Sequence, residues 1–486
     1  MDLKQKTIEN TFIVFIVTFF NRGLNIITKI LLARLLLPED FGLIAIAMII
    51  INAISLFREM GIESALIYRK TDIKKASDTI FIILPFIGVG LYVIAFLIAP
   101  YAAEFYEEIL VKDIIRISGI VLILTSFSSV PVTLFAKDLN FKKRMTPEVV
   151  SNISYTILTL FLAKLGFGVW SLVYGGVISG VIGIITIWSI TSYRPALRFD
   201  RKIALEMLNY GKYILGAQLV IFVLINIDTA VVGKILDMRM LGFYTIAYSI
   251  ANIPATNITH ILGKILFPTY SRLQDDMKRF NRFFLTVVRY VSFLTVPSAF
   301  FLFALAPDLV AQVIGVKWAP SIIPLRILCV GALLRSITAT TGVLFNAIGK
   351  PKLLQDISLV QLFFMIAFII PATTLGGLVG VSILMSTKNV LAFGMSFYVV
   401  SRNTEMKLRQ LYDSMKTQFS SSILSVASVF LLGTLIPQSL IGLIVKTILF
   451  CGVYILSFSF MDKKIFYEIW SLLRYGTHEF KKDTLE

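Results

Sequence analysis

Cysteine and histidine are nearly absent, with two of each in 486 residues. Cys329 and Cys451 lie inside apolar stretches, and His260 and His478 are far apart. So few groups cannot supply a disulfide framework, a zinc site or a catalytic triad. Charge is scarce too: Asp, Glu, Lys and Arg make up 15% of the chain, against about 25% in soluble domains. No G-x-x-x-x-G-K-[ST] phosphate loop occurs, because Gly342 and Gly349-Lys350 are separated by two residues too many. Direct use of ATP is therefore not expected, nor is any cofactor. What is abundant is apolar sequence, at 57% of residues with mean hydropathy +0.83. That balance excludes a water-soluble globular protein.

A membrane-spanning helix needs about 20 apolar residues. Runs of that kind fall near 11–36, 41–57, 79–99, 114–136, 149–164, 169–192, 212–233, 241–267, 284–306, 321–347, 354–373, 376–400, 418–436 and 439–460. The expectation is an all-α polytopic membrane protein with about fourteen transmembrane helices. The first run is too long for a signal-peptide core, is interrupted by Asn21, Arg22 and Lys29, and is expected to remain in the mature protein. Of the 46 Lys and Arg residues, 31 fall in the N-terminus, alternate loops and C-terminal tail, against 6 in the other loops. Basic loops stay cytoplasmic, so both termini are expected to face the cytoplasm of a cell inner (plasma) membrane. The same asymmetry accounts for most of the +17 net charge without nucleic acid as a partner. The remaining nine basic residues lie within spans and are the place to look for function.

An offset of 200 residues aligns Ala33-Arg34-Leu35-Leu36 with Gly233-Lys234-Ile235-Leu236, and Gly42, Ile46 and Ala47 with Gly242, Ile246 and Ala247. At an offset of 210, Arg116, Ser126 and Lys142 fall on Arg326, Ser336 and Lys352. Six spans separate the copies, so both have one topology and are expected to be related by an axis along the membrane normal. The implied organisation is an N-lobe over 1–200 (helices 1–6), a C-lobe over 201–403 (helices 7–12), and helices 13–14 with a tail over 404–486. The two pseudo-symmetric lobes are expected to face a central cavity that opens to each side in turn.

The run Ala33-Arg-Leu-Leu-Leu-Pro-Glu-Asp-Phe-Gly42, followed by Phe57-Arg-Glu-Met-Gly-Ile-Glu-Ser-Ala-Leu-Ile-Tyr-Arg-Lys70, resembles the opening of the polysaccharide-transporter family. These are the Wzx and WzxC-like flippases of the multidrug/oligosaccharidyl-lipid/polysaccharide exporter superfamily. Asn226-Ile-Asp228, Leu241-Gly-Phe-Tyr244, Phe267-Pro-Thr-Tyr-Ser-Arg272 and Gly166-Phe-Gly-Val-Trp-Ser-Leu172 extend the likeness over nearly the whole chain. The resemblance implies export of a polyprenyl-diphosphate-linked oligosaccharide to the outer leaflet for O-antigen, capsule or exopolysaccharide synthesis. It implies membrane lipids and polysaccharide polymerase machinery as partners and gives no catalytic role.

For such a substrate, intramembrane arginines are the natural ligands, because the guanidinium fork matches phosphate oxygens. Arg22 and Lys29, with Asn25 between them, share one face of the first helix. Arg335 in the tenth span and Lys388 in the twelfth lie near mid-depth, and Arg116 and Arg326 occupy equivalent outer positions in the repeat. These six are the candidate diphosphate-binding residues. For Arg116 and Arg326, anchoring at the membrane interface competes with ligand contact, and for Lys29 snorkelling does. Lys264, Arg289 and Lys446 are expected to snorkel. Asp228 stands as the one acid well inside a span. It is open to three readings: a gating pair with Lys29, a coupling site for H+ or Na+, or a structural pair within the lobe, for which Lys234 is a partner. His260 is read as a packing histidine. An ion-coupled exporter of drugs or small metabolites is the alternative, but it would need an acidic, aromatic cavity. A membrane enzyme would need clustered carboxylates or a large extramembrane loop.

Overall fold

The computed structural model describes residues 3–59, 62–255, 266, 269–273, 276–463 and 467. Among them all regular structure is helical. The first ten helices are α1 (Leu3–Leu35), α2 (Pro38–Glu59), α3 (Ile62–Tyr68), α4 (Ile73–Tyr106), α5 (Ile109–Ser118), α6 (Ile120–Lys137), α7 (Phe141–Lys164), α8 (Val169–Ile190), α9 (Arg201–Ile235) and α10 (Met238–Ala251). Further along come α11 (Met277–Asp308), α12 (Ile322–Ala347), α13 (Pro351–Thr404), α14 (Leu408–Leu432) and α15 (Leu440–Met461). Side-chain caps begin several of them: Asn140 accepts from Lys143 N, Asp200 from Lys202 N and Ile203 N, Asp276 from Lys278 N and Arg279 N, and Ser439 from Gly442 N. Each satisfies donors that a helix start leaves unpaired.

Eleven helical stretches are long and apolar enough to cross a membrane among the described residues, so the chain is a multi-pass integral membrane protein. The expected count of fourteen differs at three places. First, α13 has 54 residues and would be about 80 Å long if straight, over twice the roughly 30 Å hydrocarbon layer. It is broken at Gly377, whose φ of 53° and ψ of −140° are not helical. A Cβ on Gly380 would lie 2.1 Å from the Ala372 carbonyl oxygen, so the chain doubles back there. Second, α7 contains the expected span 149–164 but is not apolar enough to qualify, because Glu148, Asn152, Tyr155 and Thr156 line one face. Third, of the expected span 241–267, α10 supplies the start; residues 256–265, with His260 and Lys264, lie outside the described residues.

The chain divides into two compact units, Met1–Ile246 with Met365–Val381, and Ala247–Phe364 with Ser382–Glu486. In the first, α7 packs on α8 and α1, α4 on α5 and α6, and α9 on α2, α3 and α4. Those contacts place α9 in the first unit although the repeat counts it in the second copy. The two copies meet within this unit: a Cβ on Gly42 would lie 2.0 Å from Met238 O, and one on Gly242 would lie 1.8 Å from Pro38 O. An offset of 200 maps each half of this crossing onto the other. Only glycine permits backbones to approach so closely. The 191–200 connector is pinned to the start of α4, where fully buried Asp78 accepts from Tyr193 Oη at 2.9 Å and Ala196 N at 3.1 Å. Lys75 pairs with Asp200 at 2.6 Å beside it.

In the second unit α11 packs against α12 and α14, and α14 against α15. Phe280, Phe284, Val288, Ile337, Phe345 and Phe397 form its core. Lipid tails are as apolar as these side chains, so this core is held by close packing and polar links rather than by escape from water. The polar links are specific. Lys446 on α15 pairs with Asp308 at the end of α11 at 2.8 Å, and Arg289 on α11 pairs with Asp462 just past α15 at 3.0 Å. Lys446 and Arg289 are therefore fixed by carboxylates, correcting the expectation that they snorkel; the partners lie over 130 residues away in sequence.

Candidate substrate site

In the first unit the candidate residues centre on α1. Arg22 is half-buried, while Asn25 and Lys29 are exposed. Lys29 is sixteen residues past Ile13, where the apolar stretch starts, which puts it about 24 Å along the helix. Polar side chains open at membrane depth face water or a polar ligand, because lipid tails cannot solvate them. The neighbouring face of α1 is tied to α7: Asn21 Nδ2 donates to Glu148 Oε1 at 3.0 Å, and the Thr28 and Thr156 hydroxyls meet at 2.7 Å. The two helices thus run parallel and in register, with one polar seam between them.

Asp228 on α9 is buried, and its Oδ2 accepts from the Tyr244 hydroxyl of α10 at 2.5 Å. Lys234, its suggested structural partner, pairs with Glu107 at 2.7 Å. Arg116 lies 4.0 Å from the Phe96 ring centroid, a cation–π contact.

In the second unit Arg335 on α12 is half-buried, and its Nη1 donates to Tyr248 Oη at 3.0 Å and Asn252 Oδ1 at 3.2 Å. This holds the guanidinium by one edge. Arg326 donates from Nε to Phe303 O at 3.1 Å with its guanidinium 5.6 Å from the Phe303 ring, so the repeat-equivalent arginines each engage a phenylalanine of the preceding long helix. Lys388 on α13 is 7% exposed; nearby, Gly331 lets Ser386 approach so closely that a Cβ would lie 2.8 Å from Ser386 Cα.

The inventory of acids read from sequence was short. Asp78, Glu148 and Asp308 all lie at or inside helices, one or two residues beyond the expected boundaries at 79, 149 and 306. Hydropathy trims a span at its first charge, so a carboxylate carried into the layer by a longer helix is lost. Helical spacing could have recovered Glu148, which falls four, seven and eight residues before Asn152, Tyr155 and Thr156.

With this geometry in place, comparison with known proteins is informative. The model of a family described as polysaccharide biosynthesis protein matches residues 31–323. The succinoglycan biosynthesis transport protein ExoT of Rhizobium meliloti is 24% identical over 447 residues, covering 89% of this chain and 88% of ExoT. The lipopolysaccharide biosynthesis protein WzxC of Escherichia coli is 23% identical over 405 residues, covering 82% of each. Among solved structures, a lipid II flippase MurJ in an inward closed conformation superposes with TM-score 0.76 at 17% identity, covering 93% of this chain and 99% of MurJ. That likeness is one of fold.

Proposed function

This chain belongs to the polysaccharide biosynthesis protein family, and from that premise we propose that it is a flippase for polyprenyl-diphosphate-linked oligosaccharide. In this reading it carries its substrate from the cytoplasmic to the outer leaflet of the plasma membrane, with both termini cytoplasmic. The observation that carries the reading is the cationic face of α1, where half-buried Arg22 and exposed Asn25 and Lys29 stand at membrane depth. A diphosphate is the ligand such a face suits, since it accepts charge-assisted hydrogen bonds. Arg335, steadied by Tyr248 and Asn252, supplies a second guanidinium, and Lys388 a further cation. Arg116 and Arg326 serve mainly to fix helix ends against Phe96 and Phe303. Movement follows from the repeat, with lobes 1–200 and 201–403 rocking, α14 and α15 following, and the glycine crossing at Gly42 and Gly242 parting for release.

Outward movement of an anion runs with an inside-negative potential, worth about 2.3 kcal/mol per charge per 100 mV. The potential therefore gives transport a direction, and Asp228 is the candidate for H+ or Na+ coupling in addition. The test is reconstitution of the pure protein in vesicles, following a labelled polyprenyl-diphosphate saccharide between leaflets. Arg22→Gln with Arg335→Gln should slow flipping at least about a hundredfold, the loss of two charge-assisted contacts, and flatten its voltage dependence. Unchanged flipping in a folded double variant overturns the proposal, and transport of a cationic dye in its place would favour a drug exporter.

A further inference from the structure

The polar seam between α1 and α7 has a feature that diphosphate binding does not explain. Asn21 lies eight residues past Ile13, about 12 Å into the apolar stretch, and its amide holds Glu148 at the same depth. Glu148 is exposed there, so its carboxylate faces water or ligand and not lipid. Among the described residues Asn21 is the one hydrogen-bond partner of that carboxylate, which leaves acceptor capacity free. Asn21 itself is 4% exposed, and its Oδ1 has no partner among the described residues. Arg22 follows immediately on α1. A carboxylate beside a diphosphate-binding arginine opposes anion binding, so its fixed position calls for a different part of the substrate.

That part is the sugar. A hexose linked to a diphosphate presents vicinal hydroxyls within one sugar length of the phosphorus, and a carboxylate accepts two such donors at once. Resting on the flippase reading above, we propose that Glu148 is a specificity-determining residue that accepts hydrogen bonds from hydroxyls of the sugar nearest the diphosphate. The same charge disfavours an acidic sugar at that position, because two adjacent carboxylates repel. Asn21 is the positioning residue that holds the carboxylate to the wall.

The experiment measures binding to the full chain in nanodiscs for three lipids. They are bare polyprenyl diphosphate, the same carrier bearing a neutral N-acetylhexosamine, and the carrier bearing a hexuronic acid. The intact protein should prefer the neutral sugar over the bare carrier by about ten- to a hundredfold, the range of one charged hydrogen bond. Glu148→Ala should erase that ratio while tightening the bare carrier. Glu148→Gln, nearly isosteric and less disruptive to folding, should raise affinity for the hexuronic lipid at least about tenfold relative to the neutral one. An unchanged neutral-to-bare ratio in Glu148→Ala, or an unchanged hexuronic discrimination in Glu148→Gln, overturns the proposal. Arg22→Gln separates it from the flippase reading: uniform weakening of all three lipids supports diphosphate capture, and no weakening of any of them sinks that reading whatever Glu148 does.

Discussion

Two helix pairs handle intramembrane charge in opposite ways. Between α1 and α7, Glu148 and Lys29 stay exposed, and the pair is joined by neutral donors and hydroxyls. Between α11 and α15, Lys446 and Asp308 are 8% and 14% exposed and neutralise each other directly. An ion at membrane depth is tolerated when water or protein solvates it, and Glu148 and the Lys446–Asp308 pair take one solution each. The first leaves binding capacity over, and the second spends its charges on fastening α15 to α11. Tyr454 Oη donating to Phe293 O and the Arg289–Asp462 pair extend the fastening along the same two elements. Helix α15 should accordingly move with its unit.

If this contrast is right, breaking the fastened pair is the costliest change. Lys446→Ala strands a mostly buried carboxylate and should destabilise by about 3 kcal/mol, read as thermal unfolding in detergent. Lys446→Met with Asp308→Leu should recover most of that loss, because no charge remains unpaired. Next comes the glycine crossing. Gly42→Ala places a methyl group against the Met238 carbonyl, a contact that backbone must yield to, for about 1–3 kcal/mol. Its signature is greater labelling of a cysteine introduced at Leu37, since the crossing is forced apart. Asn21→Ala should cost only about 1 kcal/mol, as Glu148 is open to water. A cost equal to that of Lys446→Ala would abolish the distinction between the two pairs.

The smallest effect is at the surface. The Lys75 side chain, followed by the Ile203 and Lys202 amides, holds Asp200 down at about 2. A depressed carboxylate stabilises the fold above its ordinary value near 3.8, and that share is lost as pH falls toward about 2. Asp200→Asn should therefore melt slightly lower than the intact protein at neutral pH and converge with it as pH falls from 4 toward about 2, which flattens the acid limb of the melting profile.

Most of the architecture was legible before the coordinates. Apolar runs marked the spans because lipid imposes length and hydropathy on each helix independently. Even the interruption in α13 was nearly visible, as the two expected runs 354–373 and 376–400 divide at residues 374–375, close to the non-helical Gly377. The α1 face was readable from the spacing of Arg22, Asn25 and Lys29, since helical periodicity is local. Glu148 was lost at a boundary, and the roles of Lys446 and Arg289 were misread because a cation near a helix end looks the same whether it snorkels or is paired.

Sequence alone therefore determined the class of protein and where most of its apolar spans lie along the chain. These depend on solvent and on periodicity, which every segment obeys by itself. Tertiary structure decided which charges pair with which, and which lie exposed. It also placed Gly42 against Met238 and Gly242 against Pro38, turning a sequence offset into a physical crossing. Such pairings join residues 127 to 204 positions apart, and electrostatics and steric fit act through space, where distance along the chain carries no information.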